Sequence, residues 1–115
     1  MINTRTVDGI TILDLHGPLG AGEGDAAVRQ AVRLAFERGA MTVILNMREV
    51  PSIDSSGVAT LASGHMTAAN HGGQLKLCNL TRKLKDVLVI MRLHSIFHAY
   101  ETEADAVASV NVPHA

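Results

Sequence analysis

Val50-Pro51-Ser52-Ile53-Asp54-Ser55-Ser56-Gly57-Val58 is the stretch that decides the fold. Before it runs Met41-Thr42-Val43-Ile44-Leu45-Asn46-Met47. That segment has the length and β-branched content of a strand buried on both faces of a parallel sheet. After it, from Val58 to about Asn70, apolar residues recur at helical spacing. The stretch is therefore read as a strand-to-helix turn, and in open α/β sheets ligand and partner chemistry collects at that end of the strands.

Each residue of the turn has a physical task. Pro51 fixes its own φ and biases Val50 away from helical geometry, which ends the strand. Asp54, Ser55 and Ser56 are all N-cap types, whose side-chain oxygens accept from the open N–H groups of a first helical turn. With Asp54 as the cap, Ser55 and Ser56 fall in that turn. A helix start carries about half a positive charge, and a phosphoserine carries about −1.5 to −2. A phosphate on Ser55 would have the helix dipole in its favour and Asp54 against it. Capping serines are common, however, and on spacing alone a purely structural role is the simpler reading.

The flanking chain organises around this turn. Ile2 to Val7 and Ile10 to Leu15 read as short strands, joined at Asp8-Gly9, a pair suited to a two-residue hairpin turn that needs positive φ. Alternation places Ile10, Ile12 and Asp14 on one face of the second strand and Thr11, Leu13 and Leu15 on the other. That fits a strand covered on both sides. Gly17 to Gly24 is glycine-rich but lacks a Gly-Lys-Ser/Thr ending and dinucleotide spacing, so it reads as a mobile loop beside the turn. Val28, Ala31, Val32, Ala35 and Phe36 form the stripe of an amphipathic helix from about Asp25 to Arg38, with Arg29, Arg33, Glu37 and Arg38 on the wet face and Gly39 as the stop.

In the helix after the turn, Val58, Leu61, Ala62 and Met66 are expected to face the sheet. The small Ala59, Ser63 and Thr67 lie on other faces and would let a partner approach. Gln74 to Cys78 reads as a strand. Thr81 caps a helix with a Leu84, Val87, Leu88, Met91 stripe, and Ile96 to Tyr100 is a short last strand. Thr102 and Asp105 form a capping-box-like start to a last helix carrying Ala104, Val107, Ala108 and Val110. Residues 111–115 read as a frayed tail. The order β-β-α-β-α-β-α-β-α predicts an α/β fold, a mixed and mostly parallel sheet of about five strands flanked by about four helices, as one domain over residues 1–115.

Composition narrows the function classes. The chain has 115 residues, 47% apolar and 3% aromatic, with a formal charge of −1. Low aromatic content and near-neutral charge argue against single-stranded nucleic-acid platforms, direct DNA binding and a polybasic membrane anchor. No run is long enough to span a membrane, and the N-terminus shows no apolar signal region, so no membrane insertion is expected. Cys78 is the only cysteine, which fits a cytoplasmic protein. The six histidines give no clean pair on one helical face, so no metal site is read, and no cofactor is read either. Asp54-Ser55-Ser56-Gly57 lacks the Gly-x-Ser-x-Gly elbow of a serine hydrolase, and catalysis is not expected.

Ile53-Asp54-Ser55-Ser56-Gly57-Val58, directly after a hydrophobic strand, resembles the phosphorylation motif of the anti-sigma factor antagonists of the STAS-domain family. Leu13-Asp14-Leu15-His16-Gly17 resembles the end of that family's second strand. His71-Gly72-Gly73-Gln74-Leu75-Lys76-Leu77 resembles its helix-to-strand turn, and Arg92-Leu93-His94-Ser95-Ile96-Phe97 the segment before its last strand. The resemblance implies the same α/β architecture and a non-enzymatic switch. Ser55 would be the residue phosphorylated, with Asp54, Ser56, Gly57 and Val58 at the partner-binding switch. The partners implied are an anti-sigma factor that is also a serine kinase, and a phosphatase. Binding the unphosphorylated form would release a sigma factor. A structural docking subunit of a stress-sensing or lipid-transport complex, without a phospho-switch, is the alternative. A nucleotide-binding domain using Gly20 and Gly22 is a third reading. Two positions depart from the family pattern: Gly20 stands where a loop aspartate is expected, and Asn46-Met47 where the third strand often ends in Asp-Leu. Both are expected to remove negative charge near the switch.

Overall fold

The computed structural model describes residues 2–20 and 23–110. The order is β1 (Ile2–Val7), β2 (Ile10–His16), α1 (Glu23–Glu37), β3 (Thr42–Glu49), α2 (Ser55–Asn70), β4 (Gln74–Cys78), α3 (Arg82–Ile90), β5 (His98–Tyr100) and α4 (Glu103–Val110). The five strands lie side by side in chain order. Only β1 and β2 are antiparallel; β2 to β5 run parallel. This is the mixed, mostly parallel sheet the element order predicts. The β1–β2 turn has Asp8 at φ 51° and Gly9 at φ 79°, the two positive values a primed turn requires.

The sheet has two covered faces. Leu13, Leu15, Val43, Leu45, Met47, Leu75 and Leu77 join Val28, Val32 and Phe36 of α1, Leu61 and Ala68 of α2, and Leu84 and Leu88 of α3 in the main core. On the other face Ile10, Ile12, Ile44 and Cys78 meet Ala106 of α4. Burial from both sides explains why β2 does not resolve into one apolar and one polar face, and why β3 reads as a near-continuous apolar run.

Helical periodicity was less reliable at three places. Met66 is 64% exposed, not packed on the sheet. The buried face of α2 is instead Gly57, Thr60, Leu61, Gly64 and Ala68. Gly64 lets the helix come close to the sheet, since a Cβ there would lie 3.0 Å from Leu75 Cδ2. Met91 caps the end of α3 and is exposed. In α4 the buried residue is Ala106, while Ala104 and Ala108 are exposed. β5 is also shorter than expected, beginning at His98. Lys76 breaks the expected alternation of β4, being 5% exposed. Its ammonium donates to the Tyr100 hydroxyl at 3.3 Å and lies 5.2 Å from the ring centroid, which supplies the partners a buried cation needs. The tail at 111–115, and Ala21 and Gly22 of the glycine-rich loop, lie outside the described residues.

Candidate functional site

β3 ends at Glu49, and the chain turns through Val50, which is buried. The loop after β2 then zips onto the turn. Leu19 N–H donates to the Ser52 carbonyl at 3.0 Å, and Asp54 N–H donates to the Leu19 carbonyl at 3.1 Å. Leu19 itself is 3% exposed. This part of the glycine-rich loop is therefore anchored, contrary to its reading as mobile. A side chain here would disturb the contact on both sides. A Cβ on Gly57 would overlap the Leu19 carbonyl oxygen and sit 2.7 Å from Ile53 Cγ1, and one on Gly20 would sit 2.6 Å from Asp54 Oδ2.

Asp54 is the N-cap of α2: its Oδ1 accepts from Gly57 N–H at 3.0 Å in extended backbone geometry. Ser55 follows as the first helical residue and is exposed, and among the described residues its hydroxyl makes no hydrogen bond. Ser56 is half-buried and donates to Asp25 Oδ2 at 2.6 Å. The two serines, adjacent in sequence, thus have opposite situations. Gly57 and Val58 are buried, so they shape the turn and support its surface.

Asp25 was not legible as part of this site. It lies on α1, 31 positions from Ser56, and only the packing of α1 on α2 brings the two together. Asp25 is 2% exposed, and its Oδ1 is buried with no hydrogen-bond partner among the described residues. Such an atom normally costs about 1–3 kcal/mol. Beside it, Arg29 Nη1 donates to Thr60 Oγ1 at 3.0 Å, and Thr60 Oγ1 donates to the Ser56 carbonyl at 3.2 Å. Arg29 is therefore not simply solvated. Asp25 places a carboxylate next to Ser56, and position 20 lies against the Asp54 side chain, where Gly20 brings no charge.

The expectation for Asn46 is corrected, because it lies on the other side of the sheet from the serine turn. Its neighbours in β3, Leu45 and Met47, point into the α1–α2 core, whereas Asn46 reaches Asp14. Arg5 makes a two-pronged pair with Asp14, Nε to Oδ2 at 2.6 Å and Nη2 to Oδ1 at 2.8 Å, and also binds Glu103 of α4. Asn46 Nδ2 donates to Asp14 Oδ1 at 2.8 Å, while its own Oδ1 accepts from Asn79 Nδ2 at 2.9 Å. Asn46 is both donor and acceptor here; a carboxylate in its place would face Asp14 without a proton to share. The Arg5 guanidinium, above the opposing effect of burial, holds the Asp14 carboxyl down to about 2. On the same face, burial pushes the Cys78 thiol up to about 12, leaving it protonated and unreactive.

Two histidines are engaged in ring packing. His71 stacks on Phe36 with centroids 5.9 Å apart, and its Nδ1 lies 2.9 Å from the Thr67 carbonyl oxygen; His65 meets Phe97 edge-on. Among the described residues no group of three or more His, Cys, Asp or Glu side chains could hold a metal ion, and no helix is long and apolar enough to cross a membrane.

An anchored strand-to-helix turn with an exposed serine, on a five-stranded sheet of this order, has known relatives. The family model of the STAS domain matches residues 1–106, and the chain belongs to the STAS domain family. An anti-sigma F factor antagonist from Paenibacillus polymyxa is 22% identical over 104 residues, which cover 90% of this chain and 89% of that one. The crystal structure of an anti-sigma factor antagonist from Mycobacterium paratuberculosis superposes with a TM-score of 0.82 at 18% identity, covering 97% of this chain and 94% of the other. The Bacillus cell fate determinant SpoIIAA in its phosphorylated form superposes with a TM-score of 0.72 at 21% identity, covering 96% and 99%. At these identities the structural matches establish the shared fold.

Proposed function

We propose that this chain is an anti-sigma factor antagonist that works by partner switching, with Ser55 as its phosphorylation site. The observation that carries the reading is the contrast at the α2 start: Ser55 is exposed with no hydrogen bond among the described residues, while Ser56 is tied to the buried Asp25. A kinase acting on this turn would meet one available hydroxyl. In its unmodified form the protein binds an anti-sigma factor that is also a serine kinase, and so releases a sigma factor. A phosphatase restores the unmodified form. The domain is cytoplasmic and does no chemistry of its own.

The binding surface runs down α2 from the switch. Ser55, Ala59 and Met66 are exposed and share one stripe, since positions four and eleven residues apart fall on nearly the same side of a helix. Met66 supplies an exposed apolar anchor and Ala59 the room for close approach. A phosphate on Ser55 sits at the positive end of α2 but next to the Asp54 carboxylate. Against a partner it is a charge stripped of water without a cation to pair with, which costs binding on the order of several kcal/mol.

Incubating the protein with ATP and a lysate of its source organism, followed by phosphosite mapping, tests the assignment. Phosphate on Ser55, absent in Ser55→Ala, is the expected result. Phosphate confined to Ser56 or another residue contradicts it.

A further inference from the structure

Ser55 and Ser56 are neighbours at the start of α2, yet the helix sends them to different surroundings. Successive helical residues point about 100° apart, so Ser55 faces solvent while Ser56 turns toward α1. Two polar rungs join the helices there. Asp25 Oδ2 accepts from Ser56 Oγ at 2.6 Å, and one turn further along both helices Arg29 Nη1 donates to Thr60 Oγ1 at 3.0 Å. The residues of the two rungs are four apart on each helix, so the register of α1 against α2 fixes both.

Asp25 is the unusual member. It is 2% exposed, and its second oxygen, Oδ1, is buried without a hydrogen-bond partner among the described residues. Among those residues it forms no ion pair with Arg29, whose guanidinium reaches Thr60 instead. One hydrogen bond from a serine does not offset the burial of a carboxylate. An asparagine would hold Ser56 through its amide oxygen at lower cost. What distinguishes aspartate at this position is its charge.

That charge bears directly on a phosphate. Phosphoryl transfer from ATP forms an Oγ–P bond, breaks the bond from the γ-phosphorus to the bridging oxygen, releases ADP and gives up the hydroxyl proton. On Ser56 the lost proton is the one that Asp25 accepts. The product puts about −1.5 to −2 charges, on oxygens that mainly accept, against a buried carboxylate that also only accepts. On Ser55 the same group stands in solvent at the positive end of α2, where the dipole favours it. Asp54 opposes it there, but Asp54 is itself exposed, so water screens the pair.

We propose that Asp25 is a specificity-determining residue: its buried carboxylate bars Ser56 from carrying a phosphate and confines modification of this turn to Ser55. The assignment rests on the reading that the turn is phosphorylated, and adds the residue that chooses between two adjacent hydroxyls. With Asp25 neutralised, Arg29 is the nearby charge on the α1 side of Ser56, and it favours a phosphate.

Phosphoserine placed at position 55 or 56 of the full chain during synthesis tests the assignment without a kinase. Each protein is compared by thermal unfolding with its own unphosphorylated form. Phosphoserine at 55 is expected to shift Tm by no more than about 3 °C, and at 56 to lower it by about 10 °C or more. In Asp25→Asn the loss caused by phosphoserine at 56 should shrink to less than half. If phosphoserine at 56 leaves no folded protein, the Asp25→Asn form decides: a cooperative transition recovered there supports the proposal, and none recovered overturns it. Equal shifts at 55 and 56 overturn it. So does a loss at 56 that Asp25→Asn leaves above half, which makes the hindrance one of shape. Because no kinase enters, failure of the phospho-switch reading, seen as an unmodified Ser55 in the lysate experiment, is separable from failure of this assignment.

Discussion

Two polar clusters sit on opposite faces of the same sheet, and they are built on contrary lines. On the α4 face, Arg5, Asp14, Asn46, Asn79 and Glu103 satisfy one another, joining β1, β2, β3, the end of β4 and α4. On the α1–α2 face, Asp54 is used as a cap, Ser55 is left open to solvent, and Asp25 is buried with one oxygen unpartnered among the described residues. The first cluster holds the fold together. The second retains local cost, which is where a natural sequence departs from its own stability optimum for function. Residue type does not distinguish them: each is made of carboxylates, small hydroxyls or amides, and an arginine nearby. What separates them is how completely the donors and acceptors are paired.

Substitutions should divide along that line. The largest effect is expected at the junction where the loop after β2 meets the start of α2. In Gly57→Ala the new methyl meets the Leu19 backbone, which cannot rotate away, so a loss of about 3 kcal/mol and a fall in Tm of roughly 10 °C or more are expected by thermal unfolding.

The network comes next. Asp14→Ala leaves Arg5 and Asn46 without their shared acceptor and should cost about 2 kcal/mol by urea titration. The same carboxylate predicts a pH signature. Its folded value of about 2 lies below its usual 3.8, so the unfolded chain takes up the proton first. The stabilisation is therefore complete above about pH 4 and is lost as pH falls from 4 toward 2. After allowance for solvent screening it is about 1 kcal/mol. Asp14→Asn should flatten stability across that window while leaving the slope above pH 5 unchanged.

Gly20→Ala brings a smaller cost. The methyl it adds meets the end of the Asp54 side chain, which can swing aside at the expense of its cap, about 1 kcal/mol. Asp25→Asn should show the smallest effect and the opposite sign. The amide keeps an oxygen for Ser56 and removes a buried carboxylate that has one partner among the described residues, so stability should rise by up to about 1 kcal/mol. If Asp25→Asn instead costs as much as Asp14→Ala, the two clusters are not different in kind.

Much of this was legible from the chain because the signals were local. Asp8-Gly9 requires a particular backbone and adopts it; Asp54 and Thr81 cap the helices that follow them, and Thr102 accepts from Asp105 N–H as the capping pattern implies. The reading weakened where tertiary packing decides. A strand covered on both faces carries no alternation to say where Asn46 points, so its place in the network could not be read. Met66 fits an apolar stripe by composition, but Gly57, Gly64 and Ala68 let α2 lie closer to the sheet on a different side and leave Met66 outside. Asp25 is the clearest case: nothing near it in sequence connects it to Ser56, and the hydrogen bond exists only because two helices pack. The position of the exposed serine was local information, whereas the carboxylate that sets its neighbour apart was not.

The central claim, that Ser55 governs partner choice, is tested most directly by a parallel pull-down from the source organism's lysate, with wild type and Ser55→Asp as baits and mass spectrometry of what each retains. The account predicts an anti-sigma factor with a serine-kinase domain, held by the wild type and lost from Ser55→Asp. Equal retention of the same proteins by both baits would contradict it and make the domain a docking module with a silent serine.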